Sequence, residues 1–152
     1  MKSVYRLIHK NIIEIDKRTG KEICDVKLLG FFSSKEKCKE AIKYYLKKPG
    51  FKDYPNRFFY DVINANIDDY NAVVGKFDKY VSYLSHEWYD GEYDFESDLG
   101  FYSTKKKANL AEKKYRLEAE YLEHQDGFYI GKYKINAMNW KEGFLAWEEL
   151  DD

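Results

Sequence analysis

Three histidines and two cysteines are the residues of this 152-residue chain best suited to acid–base, nucleophilic or metal chemistry. General acid–base or covalent catalysis needs a carboxylate or nucleophile within hydrogen-bond reach of the imidazole. Neither His9 nor His86 sits in a recognisable Ser-His-Asp or Cys-His arrangement, and His86-Glu87 lacks the second histidine of a zinc hydrolase helix. The sequence therefore reads His9 and His86 as structural groups at strand ends and places His124 at a helix end. Cys24 and Cys38 have no C-x-x-C spacing, and Cys38 is expected to be buried and inert. The nine glycines form neither dinucleotide-binding nor P-loop motifs, so Gly30 and Gly100 are read as sites of a bend or close approach. No catalytic residue, metal ligand or cofactor is expected. The enzymatic arrangement left open is one that brings His9 and His86 together from the two halves of the chain.

A second pattern points to binding. Asp90, Glu92, Asp94, Glu96 and Asp98 recur at every second position, and in an extended strand this period puts all five carboxylates on one face. Gly91, Tyr93, Phe95, Ser97 and Leu99 fall on the other. A calcium loop starting at Asp90 would need glycine at its sixth position and glutamate at its twelfth, where Phe95 and Phe101 stand. The run therefore reads as an acidic ribbon suited to a basic partner. Fifteen tyrosines add broad apolar area with a polar tip, a composition favoured at interfaces.

The elements that position these residues come in duplicate. Leu29-Gly30-Phe31-Phe32-Ser33-Ser34 is answered by Leu99-Gly100-Phe101-Tyr102-Ser103-Thr104; Val4, Leu7 and His9 by Val81, Leu84 and His86; and Ile63-Asn64-Ala65 by Ile135-Asn136-Ala137. The offsets are 70, 77 and 72 residues, so insertions fall between the matched elements. Each copy opens with a β-rich run, at 4–8 and 80–84. A turn follows at Arg18-Thr19-Gly20-Lys21 or Asp90-Gly91, then a strand ending in the Leu-Gly-Phe-aromatic element. Ser33 with Glu36 suggests a capping box, and Ser103 or Thr104 a second N-cap. Cys38, Ala41, Ile42 and Tyr45 form the apolar stripe of a first helix, with Pro49-Gly50 ending it. Ala108, Ala111, Tyr115, Ala119 and Leu122 form that of a second. In the second helix Leu110, Leu117 and Tyr121 project to the opposite side, available to a partner or covered by the C-terminal residues Phe144, Trp147 and Leu150. Third strands close the copies at 57–64 and 128–137.

The expected class is α+β: two tandem ββαβ repeats, 1–76 and 77–152, forming one compact globular unit with pseudo-twofold symmetry. Its sheet is mainly antiparallel with helices on one face. The copies either join edges into one sheet or pack as two sheets face to face.

These elements resemble a bacterial family of unknown function. Its units show a strand-ending His, an Ile/Leu-Gly-x-Tyr/Phe-Ser element, a Gly-Phe start to the last strand, and a Trp followed by Glu-Gly-Phe. The second copy carries His86, Leu99 to Ser103, Gly127-Phe128, Tyr133, Trp140 and Glu142-Gly143-Phe144 in order. The first keeps His9, Leu29 to Ser33 and Pro49-Gly50-Phe51 but lacks the Trp and Glu-Gly-Phe ending. The resemblance implies an architecture and supplies no activity.

Composition narrows the class of function. Apolar runs are far shorter than the roughly 20 residues a membrane helix needs, and Met1 to Lys10 lacks the apolar core of a secretory signal. A cytoplasmic protein without membrane contact is expected. The net charge of −1 conceals an asymmetry: residues 1–76 hold 16 Lys and Arg against 10 Asp and Glu, and residues 77–152 hold 10 against 17. Such halves steer a charged partner or favour head-to-tail contact with another copy. The expectation is a non-enzymatic protein-binding module, in its sharpest form a bacterial immunity protein that neutralises a basic toxin such as a nuclease. Its partner-binding residues are Tyr89, Asp90, Glu92, Asp94, Glu96, Asp98, Leu110, Leu117 and Tyr121. The alternative is a nucleic-acid binder using sheet tyrosines with Lys37, Lys43 and Lys47 of the lysine-rich helix 35–48.

Overall fold

The computed structural model describes residues 3–65, 76–92 and 94–145. The chain is α+β and builds two separate three-stranded antiparallel sheets, ordered β2-β1-β3 and β5-β4-β6. The first comprises β1 (Ser3–Ile15), β2 (Glu22–Phe32) and β3 (Phe58–Asn64), with α1 (Lys35–Tyr45) following β2. The second comprises β4 (Tyr80–Tyr89), β5 (Asp94–Tyr102) and β6 (Phe128–Lys134), with α2 (Lys105–Tyr115) following β5. Among the described residues the strands form two sheets and not the single continuous sheet that was the first arrangement weighed from sequence.

The Leu-Gly element is a β-bulge in both sheets. Leu7 pairs with Gly30 and Ile8 with Leu28, so Leu29 is the extra residue; Leu84 pairs with Gly100 and Ser85 with Asp98, so Leu99 is its counterpart. Both leucines enter the core beside their helix. The glycines have φ of 156° and 143°, and there is no room for a side chain. A Cβ on Gly30 would lie 2.6 Å from the Ala137 carbonyl oxygen, and one on Gly100 within 2.8 Å of the Tyr102 ring. The bulge lets two consecutive residues oppose one without turning the rest of the strand over.

The helices start where short hydroxyl side chains satisfy their first N–H groups. Ser34 Oγ accepts from Lys37 N and Thr104 Oγ1 from Lys107 N, both at 3.2 Å. Ser33, read from sequence as the first cap, is one residue too early; its N–H donates instead to Asn136 Oδ1 at 2.9 Å. Cys38, Ala41 and Tyr45 are buried, with Ile42 packed beside them, as the stripe of α1 requires. In α2 the stripe ends at Tyr115, because the helix stops there and the chain continues through a 3-10 turn at Ala119–Tyr121. Ala119 and Leu122, extrapolated from sequence onto the stripe, are exposed.

The third echo does not survive in the strands. β3 and β6 are equal in length and 70 residues apart, so Ile63 lies inside its strand while Ile135 falls just past the end of its own. By contacts the chain divides into residues 5–62 with 136–152, and 63–135 with 1–4. Trp140 and Glu142-Gly143-Phe144, read from sequence as the end of the second repeat 77–152, thus belong with the first unit. The Phe144 N–H donates to the Pro49 carbonyl at 2.9 Å, and its ring packs on Phe51, with centroids 4.9 Å apart, and on His9. Phe144, which one reading of the sequence used to cover the second helix, thus packs within the first unit; Trp147 and Leu150 lie outside the described residues.

Gly30→Ala and Gly100→Ala should each cost about 2 kcal/mol or more, since a strained backbone and a close contact fall at one position. Urea denaturation should show a lower midpoint with unchanged slope. A midpoint at the wild-type value would show that the bulge does not need glycine.

Candidate functional site

Pairing in the second sheet fixes which side chains share a face. Leu84 and His86 point toward α2, so Ser97, opposite His86, does as well. Strand alternation then turns Asp94, Glu96 and Asp98 to the helix-free face, where they meet Tyr89, Glu87 and Ser85 of β4 as direct cross-strand partners. Tyr83, opposite Phe101, and Tyr129, opposite Ser85, complete this face, with Tyr133 beside Val81. Tyr89 and Tyr129 are more than 60% exposed. The Tyr83 hydroxyl donates to Asp98, and the Tyr83 and Phe101 rings pack 4.9 Å apart. A patch of four carboxylates set among tyrosines results.

The ribbon read from sequence is thereby shortened. Asp90 and Glu92 lie in the turn rather than on the strand, because β4 ends at Tyr89 and β5 begins at Asp94. There the Asp90 carboxylate accepts from Glu92 N at 2.8 Å and the Tyr89 hydroxyl donates to the Gly91 carbonyl at 2.8 Å, a local Asx turn. Tyr93 is outside the described residues. Leu110 and Leu117 are exposed, Leu117 at 80%, but they lie on the outer side of α2 and beyond its end, across the unit from the carboxylates. Tyr121 is no surface residue. It is 6% exposed and packs edge-on to His86, with centroids 4.7 Å apart, and against Phe128 and Tyr115. The end of α2 at Tyr115 breaks the helical spacing that carried Tyr121 outward in the sequence reading. Glu87, Tyr83 and Tyr129 are the face residues that reading missed. Alternation along β4 links Tyr83, Glu87 and Tyr89, but only the strand register shows that they stand beside β5's acids.

The two candidate catalytic imidazoles are core groups of their own units. His9 Nε2 donates to the Tyr54 carbonyl at 3.1 Å and His86 Nε2 to the His124 carbonyl at 2.7 Å. Aromatic rings enclose each: Phe51, Phe58 and Phe144 around His9; Tyr121 and Phe128 around His86. A carbonyl only accepts, so Nε2 carries the proton in both. The buried Nδ1 of His9 has no hydrogen-bond partner among the described residues. Burial lowers the pKa of His9, and the Lys27 ammonium directly across the strand pair adds to this, while the Tyr54 bond and Asp25 oppose it. Lys27 is itself buried, paired with Asp25, and sits 4.0 Å over the Phe144 ring. Burial also pushes the Cys38 thiol up to about 11, far from a reactive thiolate. Among the described residues no group of three or more His, Cys, Asp or Glu is placed to hold a metal ion, and no helix is long and apolar enough to cross a membrane.

No family model, no curated protein and no solved structure matches this chain.

His9 makes a pH prediction with a definite sign. Its folded pKa lies below the ordinary 6.5, so the unfolded chain binds the extra proton first as pH falls. The stability contributed by neutral His9 is complete above about pH 6.5 and declines as pH drops from there toward the folded pKa. Chemical denaturation at about pH 7.5 and about pH 5.5 should show that loss in the wild type and a smaller one in His9→Phe. Equal losses in the two proteins would mean that His9 does not couple folding to protons.

Proposed function

We propose that this protein is a non-enzymatic protein-binding module whose acidic, tyrosine-bearing sheet face docks a basic protein. The sharpest form of this reading is an immunity protein that occupies the cationic surface of a toxin such as a nuclease. One observation carries it: the same scaffold occurs twice in the chain, and only one copy bears the acids. The pair Glu87 and Glu96 corresponds to Lys10 and Val26 in the first sheet, and Ser85 and Asp98 to Ile8 and Leu28. The fold therefore does not need carboxylates at these positions. It also bears a small cost for them, since like charges directly opposite across a strand pair repel. A like-charge pair that the architecture does not require is accounted for by what it attracts. Carboxylates in one patch speed encounter with a cationic partner, and the tyrosines supply contact area at little entropic cost.

The nucleic-acid alternative is weaker on this geometry. Lys37 and Lys43 are exposed on α1 and Lys47 just beyond it, since the helix read from sequence as 35–48 ends at Tyr45; all three belong with the first sheet, whereas Tyr89 and Tyr129 of the second stand among carboxylates that repel phosphate.

Glu87→Lys separates binding from folding. It should raise stability by a few tenths of a kcal/mol by relieving the Glu87–Glu96 repulsion. With Glu96→Lys added, it should slow association with a captured basic partner about tenfold and flatten the salt dependence of that rate. The measurements are urea melts and stopped-flow association with a protein captured from the source cell. An association rate and salt slope unaffected by both reversals would remove the acidic face from the mechanism.

A further inference from the structure

The His9 imidazole and the Lys27 ammonium, both buried, share a cover that comes from far along the chain. Residues 136–145 run as a strap beside β2 and α1. Asn136 N donates to the Phe31 carbonyl at 2.7 Å and Asn139 N to the Leu29 carbonyl at 2.8 Å; the Tyr44 and Tyr45 hydroxyls donate to the Lys141 and Asn139 carbonyls. At the far end, where the Phe144 N–H meets the Pro49 carbonyl, two glycines let the backbones approach closely. A Cβ on Gly143 would lie 2.4 Å from the Pro49 oxygen and one on Gly50 2.4 Å from the Phe144 oxygen, and both glycines take positive φ, 83° and 80°. Docked in this way, the strap sets the Phe144 ring 5.8 Å from the His9 ring and 4.0 Å from Lys27 Nζ, with the Trp140 ring 5.2 Å from the same ammonium. Trp140 is held at φ 57°, a left-handed conformation that costs a bulky residue energy.

We propose that residues 136–145 are a proton-gated strap: a proton taken up at His9 Nδ1 undocks them and uncovers the edge of β2. The Nε2 proton is already engaged by the Tyr54 carbonyl, so a second proton must go to Nδ1, which has no acceptor at hand among the described residues. The ring is enclosed by Phe51, Phe58 and Phe144. Its new charge would face the Lys27 ammonium across the strand pair, with Arg57 before β3 adding repulsion and Asp25, already paired with Lys27, opposing it. From α1 the cluster receives the Tyr45 phenol, which burial keeps protonated, and the strap's own Lys141 and Glu142 are exposed. Two cations served by one carboxylate beneath aromatic rings are driven toward water. Phe58 stands on a strand of the sheet, and Phe51 in a turn closed by the Tyr54 N–H. The strap is the wall that leaves without breaking sheet or helix, and its departure hydrates His9 and Lys27 together. The Leu29 and Phe31 carbonyls then lose their donors, which opens that edge to strand pairing. In the open state His9 titrates near its ordinary 6.5, so the opening constant gains about tenfold at most per pH unit below that value, until the lowered pKa of the docked state is reached.

Native-state amide exchange of the full chain at about pH 7.5 and about pH 5.5, corrected for intrinsic rates, reads the strap at Asn139 and Phe144 and the sheet at the β1–β2 ladder. Strap amides should be less protected than ladder amides at both pH values, and their protection should fall about three- to tenfold at the lower one. In His9→Phe that fall should vanish. Reciprocity supplies a second variant, because whatever undocks the strap must also ease protonation of His9. Gly143→Ala sets a side chain against Pro49 and undocks the strap at neutral pH. The His9 ring resonances, followed by NMR, should then titrate with a midpoint raised toward 6.5, while circular dichroism shows the fold retained. Strap amides as protected as the ladder, no fall in the wild type, a fall that persists in His9→Phe, or a His9 midpoint unmoved by Gly143→Ala would each overturn the proposal. Should one variant fail to fold, the wild-type exchange and the other variant decide by the same criteria.

Discussion

Everything on the surface of the second sheet depends on one extra residue. Leu99 is inserted opposite Leu84, and because strand side chains alternate with period two, an unpaired residue is the means by which Asp98 stays outside while Leu99 and Tyr102 both reach the core. Without the bulge, one side of Leu99 would be inverted, exposing Tyr102 or burying Asp98 and Glu96. Gly100 makes the bulge possible, for only glycine takes its φ without placing a Cβ against Tyr102. The first sheet repeats the device with Leu29 and Gly30, where Lys27 turns inward and Leu28 outward. Lys27 on the inner face then requires the neighbours it has: Asp25 for its charge, Phe144 for its surface.

The residues that carry this geometry were legible in the sequence because they are local. The Leu-Gly-Phe-aromatic run, the stripe Cys38, Ala41, Ile42 and Tyr45, and the turn glycines each state a backbone requirement within a few positions. What was not legible is set by contacts distant in the chain. Helical spacing carried Tyr121 onto an outer face, but α2 ends at Tyr115 and the chain turns back so that Tyr121 closes on His86. Even spacing of acids carried Asp90 and Glu92 onto the strand, although a side chain two residues before a backbone N–H closes an Asx turn just as readily. Glu87 gave no signal alone; it joins the patch only because His86 pairs with Ser97. The sequence placed Trp140 and Glu142-Gly143-Phe144 at the end of the second repeat, and nothing in their order along the chain places Phe144 on His9 and Phe51 of the first.

The duplicated scaffold separates what folding needs from what it permits. Conserved in kind between the two units are the imidazole bonded to a carbonyl, the ring beside it at Phe58 or Phe128, and the bulge with its glycine. The imidazoles and the bulge are buried and the two rings partly so, and their replacement in either unit would leave a hole or an unpaired polar group. The positions that differ most are those no core contact constrains: Lys10 against Glu87, Val26 against Glu96, Leu28 against Asp98. Along β5 the core residues Leu99 and Tyr102 and the carboxylates Asp94, Glu96 and Asp98 thus occupy opposite faces of one strand.

Edge strands give this division a further consequence. Among the described residues β2 and β5 are outer strands of their sheets; on β2 the Leu29 and Phe31 carbonyls accept from Asn139 N and Asn136 N, and backbone left uncovered on such an edge can pair with another chain. On β5 the alternating carboxylates discourage such pairing by charge. Where β1 and β2 run on past Lys10, β2 shows Ile23 and Val26 exposed, one on each face, with Glu22 at the end of its ladder. An aliphatic strand of this kind tends toward indiscriminate edge pairing. Charges of both signs around its turn, at Asp16, Lys17, Arg18, Lys21 and Glu22, oppose that tendency, because a strand added there would have to desolvate them.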